Sequence, residues 1–111
     1  MNVYDTANRL AAEIKQSEEY MNYKMAKEAI NLKPELKEQI KKFEETRYEV
    51  QLTAMQTGKN DEEKMQQMQQ MYIELIDQAD AKSFFEAETK FNILIADVNK
   101  IIGEAIQEVM K

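Results

Sequence analysis

Cysteine and histidine are both absent from this 111-residue chain. Without cysteine there is no disulfide framework, no thiolate metal site and no cysteine nucleophile. Without histidine the chain lacks the commonest acid–base group and metal ligand near neutral pH. Glycine occurs only as Gly58 and Gly103, and proline only as Pro34. So few breaking residues favour long helices. No apolar run approaches the roughly 18–20 residues of a membrane span. Residues 1–5 are acidic rather than basic and lead straight into a helical pattern. They do not read as a signal peptide, so a cytoplasmic protein is expected. Fifteen Lys and Arg face 21 Asp and Glu, a net charge of −6. That balance lacks the basic stripe of a nucleic-acid binder but leaves room for a local patch.

What remains is a globular composition, 43% apolar and 32% charged, in a length that fits one domain over residues 1–111. Val3, Ala7, Leu10, Ala11 and Ile14 recur at helical spacing and predict a helix from about residue 3 to 16. Ser17 followed by Glu18 and Glu19 reads as the cap and acidic first turn of a second helix reaching about Asn31. These are either two helices or one bent helix. Pro34 suits the first turn of the next. Leu36, Ile40, Phe43, Val50 and Ala54 then follow a four-three spacing, with Arg47 filling the missing seam position. Gly58 reads as the residue past that helix's end. Asn60 or Asp61 can cap a fourth helix, with Glu63 three residues after Asn60 as in a capping box. Met65, Met68, Tyr72, Leu75, Ile76 and Ala79 form its apolar members. The expectation is an all-α fold of about five helices with a long antiparallel hairpin around Gly58–Asn60.

The last helix begins at a Ser83–Glu86 cap or a few residues earlier near Asp80. It is the most apolar segment. Phe91, Leu94, Ile95, Val98, Ile101 and Ile102 cover more than one seam, and Ile93 and Ala96 widen the surface. A helix apolar over so much of its circumference needs neighbours on several sides. Four short or narrow-striped helices supply few, so those six residues are expected to form a homodimer interface.

Three constellations invite a chemical reading. Met65, Met68 and Met71, spaced by glutamines and followed by Tyr72, suit either an adaptable protein-docking surface or plain hairpin packing. A copper site would lack histidine and cysteine support. Glutamate pairs such as Glu44–Glu45 and Glu62–Glu63 sit among lysines at helical spacing, the look of a solvated face, and the helical di-iron pattern needs a histidine. No metal site, cofactor or catalytic residue is therefore expected. Lys33, Lys37, Lys41, Lys42 and Arg47 could form a ridge contacting RNA phosphates, but Glu35, Glu38, Glu44 and Glu45 interleave with them.

The run Ser17-Glu18-Glu19-Tyr20-Met21-Asn22-Tyr23-Lys24 resembles the start of the YlbF/YheA family of small helical bacterial proteins. So does Ala87-Glu88-Thr89-Lys90-Phe91 leading into residues 95–102, and the order of elements between them. The resemblance implies an all-helical dimer of Gram-positive-type bacteria. It also implies a regulatory subunit of complexes that influence RNA processing, competence, biofilm formation or sporulation. Iron–sulfur-associated relatives use cysteines, so that role does not carry over, and the chain looks closer to the cysteine-free YheA-like branch. The functional expectation is a non-enzymatic adaptor that dimerises and docks a protein partner. The alternative is a direct RNA-binding helper using the Lys33–Arg47 ridge.

Overall fold

A computed structural model describes residues 2–110 of the chain. Five helices and no strand occur among the described residues: α1 Val3–Gln16, α2 Glu18–Asn31, α3 Pro34–Thr57, α4 Glu62–Ile76 and α5 Ala79–Met110. Each boundary has a local cause. The Asn2 side chain accepts a hydrogen bond from the Tyr4 amide at 2.9 Å and starts α1. Ser17 has extended backbone and separates α1 from α2. Its hydroxyl donates to the Ile14 carbonyl at 2.6 Å and accepts from the Tyr20 amide at 3.2 Å, closing one helix and capping the next. Of the two arrangements the sequence allows, the structure has two helices. Pro34 opens α3, where its missing N–H is no loss.

Gly58 ends α3 in the left-handed conformation, φ 74°, with its amide bonded to the Ala54 carbonyl. No atom lies within 4 Å of the position a Cβ would take there. Gly58→Ala should therefore meet only the backbone penalty, about 1–2 kcal/mol, measurable by urea denaturation. Asp61, rather than Asn60, caps α4 by accepting from the Lys64 amide at 3.2 Å. The last helix begins at Ala79, ahead of the Ser83–Glu86 pattern and close to the earlier Asp80 start.

The helices group into two compact units. One is Glu28–Ser83; the other combines α1 and α2 up to Lys27 with α5 from Phe84 onward. The first holds the hairpin. Gln39 pairs with Gln78 at 2.9 Å, Phe43 stacks near Tyr72 at 5.9 Å between ring centroids, and Glu49 meets Lys64 at 2.6 Å. As one number rises the other falls, which is the signature of antiparallel α3 and α4. Leu36, Ile40, Phe43 and Val50 are buried along α3, with Leu75 from α4, Ile30 and Ala81. Four of the five seam positions read from the sequence are thus core. Ala54 and Arg47 are half-buried.

The second unit is held by aromatic packing. The Tyr20 ring lies 5.9 Å from Phe91, and the Tyr23 ring lies 5.7 Å from Phe84 and 5.4 Å from Phe91. The Tyr23 hydroxyl donates to Glu88 at 3.3 Å. Phe84, Phe85 and Ala87 are buried at the start of this stretch of α5. Beyond Val98 the helix is open to solvent: every residue from Asn99 to Met110 is exposed.

Candidate functional site

The long α5 helix carries the first candidate surface. Phe91, Leu94, Ile95 and Val98 are half-buried, whereas Ile101 is 69% exposed and Ile102 45%. Ile106 and Val109, which belong to the same apolar helix, are 47% and 87% exposed. Helical periodicity of about 100° per residue puts Val98, Ile102, Ile106 and Val109 on one side. Such a contiguous apolar row on a helix marks an interaction surface or a liability.

The second candidate is the hairpin. Met65, Met68 and Met71 are half-buried and Tyr72 is exposed. The hairpin divides them between two flanks. On one, Phe43, Met68, Gln69, Tyr72 and Ile73 line an open groove of about 250 Å³. On the other, Met71 joins Gln39, Lys42, Glu74, Leu75 and Gln78 around a smaller hollow of about 160 Å³. Gln69 and Ile73 were not singled out from the sequence, and Phe43 was read there only as a seam residue of α3. Ile73 is 59% exposed and sits off the Met65–Met68–Tyr72 stripe, so its off-phase position in a polar run is the one signal that points to it.

Lys37 and Lys41 follow Lys33 at four-residue spacing along one side of α3, the arrangement read from the sequence. The Lys33 ammonium is 2.6 Å from the Asp80 carboxylate, and the Arg47 guanidinium stands 5.5 Å from the Phe43 ring. Lys37, Lys41 and Lys42 are exposed, and helix geometry turns Lys42 about 140° away from Arg47. At the other end of the hairpin the hydrogen bond from Lys64 to Glu49, helped by the attraction between their charges, raises the Lys64 pKa above the ordinary lysine value. A raised lysine contributes its stability below its unfolded pKa and loses it as pH rises through the folded one. The lysine's side of the bridge therefore holds through neutral pH and is lost in alkali. Among the described residues no group of three or more Asp or Glu is gathered as a metal site, and no helix is long and apolar enough to cross a membrane.

The family described as "Control of competence regulator ComK, YlbF/YmcA" matches residues 3–107. A UPF0342 protein of Symbiobacterium thermophilum is 34% identical over 104 residues, covering 94% of this chain and 93% of the relative. Another, from Alkalihalophilus pseudofirmus, is 36% identical over 109 residues, covering 97% of this chain and 92% of the relative. A solved structure of a protein of unknown function from Bacillus stearothermophilus superposes with a TM-score of 0.81 at 16% identity, covering 98% and 96% of the two chains. At that identity the likeness is one of fold.

Proposed function

The chain belongs to the YlbF/YmcA family, and we propose that it is a non-enzymatic cytoplasmic adaptor that pairs with a second copy through α5 and docks a protein partner on the α3–α4 hairpin. The observation that carries the pairing is the row Ile101, Ile102, Ile106 and Val109, each 45% or more exposed on one helix. Exposure of that much contiguous aliphatic surface is unfavourable in water and is relieved by association. The docking half rests on the Phe43–Met68–Tyr72–Ile73 groove. Methionine is unbranched and repacks readily, which suits a surface that adapts to a partner. The family's description as control of a competence regulator supports a regulatory role, and the partner is best sought among components of RNA-processing and developmental-control complexes.

The test compares the unaltered protein with Ile73→Glu in a pull-down from the native cell. Ile73 is mostly exposed, so the substitution should change stability by no more than about 0.5 kcal/mol while removing the captured partner. Unchanged capture would remove the groove from the account. In parallel, an RNA shift assay over a salt series addresses the basic ridge. Phosphate contacts produce binding that weakens steeply with salt, and the adaptor reading expects no such binding at micromolar protein.

A further inference from the structure

We infer that the outer side of α3 is a second docking surface, where Tyr48, Leu52 and Met55 receive a Lys- or Arg-bearing amphipathic helix of another protein. The inference rests neither on the pairing through α5 nor on the Phe43–Tyr72 groove. Tyr48, Leu52 and Met55 recur at a four-three spacing and so share one side of α3. Val50, a buried seam residue, lies two positions from both Tyr48 and Leu52, about 200° around the helix. The helix therefore carries two apolar rows, one turned to α4 and one turned away from it. The first is core. The second is open: Tyr48 is 64% exposed, Leu52 37% and Met55 83%. Single exposed apolar residues are ordinary. Three in register, on a helix whose opposite side is already packed, mark an interaction surface.

The charges around the row choose the occupant. Glu44 and Glu45 precede Tyr48 by four and three residues, and Glu49 precedes Leu52 by three, so three carboxylates border the row. Lys41, two turns before Tyr48, ends this acidic stretch, and no lysine or arginine follows Arg47 on α3. Arg47 itself stands over the Phe43 ring on the packed side. Across the hairpin tip, residues 44–63 hold six carboxylates against Arg47 and Lys59. A tip of that sign repels nucleic-acid phosphate and an anionic lipid surface. A second copy would set two acidic tips together. The area also speaks against a permanent pair. The exposed parts of the three side chains amount to on the order of 400 Å², about half of what each partner gives a standard stable interface. That suits a transient contact. A helix with aliphatic residues at i, i+4 and i+7 matches the row, and Lys or Arg on its flanks meets the carboxylates. A guanidinium can also stack on the exposed Tyr48 ring.

The experiment measures fluorescence anisotropy of two labelled synthetic helices against the full chain. Each has about 18 residues, long enough to hold helical structure, and both carry the same leucine stripe. One has lysine on its flanks and the other glutamate. The lysine peptide should bind in the micromolar range and weaken steeply as salt is raised. The glutamate peptide should bind at least about 10-fold more weakly. Tyr48→Ser/Met55→Ser removes the row at exposed positions, where substitution disturbs stability little. It should raise the Kd of the lysine peptide at least about 10-fold. Glu44→Gln/Glu45→Gln should weaken binding too and flatten its salt dependence. Ile73→Glu and Ile102→Asp should leave it unchanged, which separates this surface from the groove and from the α5 row. Equal binding of the two peptides, or binding indifferent to Tyr48→Ser/Met55→Ser, would overturn the inference. Loss of self-association in that variant, with peptide binding unaltered, would give the row to a second copy and overturn it as well.

Discussion

Phe84→Ala should lower the unfolding free energy by about 3–5 kcal/mol, a large share of the stability of a domain of this size. Phe84 is 3% exposed. Its ring lies 5.7 Å from Tyr23 and 5.4 Å from Phe85, and Tyr23 in turn reaches Phe91 and donates to Glu88. Removing the ring opens a cavity beneath α2 and strips Tyr23 of an aromatic neighbour on α5. Aromatic pairs at these separations contribute about 0.5–1.5 kcal/mol beyond area burial. A urea titration followed by circular dichroism measures the loss directly. Small domains have only about 5–15 kcal/mol to spare, so a shift below about 1 kcal/mol would mean that α2 is not held to α5 by this cluster.

Ile102→Asp should separate the paired chains without unfolding the single one. Ile102 is 45% exposed within one chain, so its carboxylate replacement keeps contact with water in the monomer and costs little there. In the paired state the same carboxylate would be buried opposite aliphatic side chains with nothing to receive it. Burying an unpaired carboxylate costs several kcal/mol, and each 1.4 kcal/mol is tenfold in affinity. The Kd should rise by at least about 100-fold. Ile95 is the informative contrast. It is half-buried in the single chain, so Ile95→Asp should lower stability as well as association. A variant pair that behaved alike would mean that the α5 row contributes only to folding.

The hairpin was legible because a four-three seam records which side of a helix packs, and Leu36, Ile40, Phe43 and Val50 obey it. Its turn was legible because Gly58 supplies the one left-handed residue among the described residues. The cap of α4 was not, since Asn60 and Asp61 are both competent and only geometry decides that the Asp61 carboxylate meets the Lys64 amide. Likewise Ser83 and Glu86 have the spacing of a capping box, yet α5 has already begun at Ala79, four residues earlier, so the pattern lies inside the helix. Family membership was legible in soft helical runs, and the matched region of residues 3–107 spans nearly the whole chain.

The candidate surfaces were less legible, and for one reason. An amphipathic stripe is written the same way whether its own chain or another covers it. Val3, Leu10 and Ile14 therefore mark a helix with one apolar side, and their exposure is not written in that spacing. The hairpin groove adds a second case. Met68 and Tyr72 belong to a visible stripe, but Phe43 comes from another helix and Ile73 from outside the stripe. A groove between helices is set by which residues face each other across the contact, which periodicity along one helix does not encode.

Sedimentation velocity of the unaltered chain, from sub-micromolar to tens of micromolar, tests the central claim that this protein acts as a pair. The expected result is a species of twice the 13.1 kDa chain mass that persists at micromolar concentration and is lost in Ile102→Asp. A single species of chain mass across the whole range would contradict it.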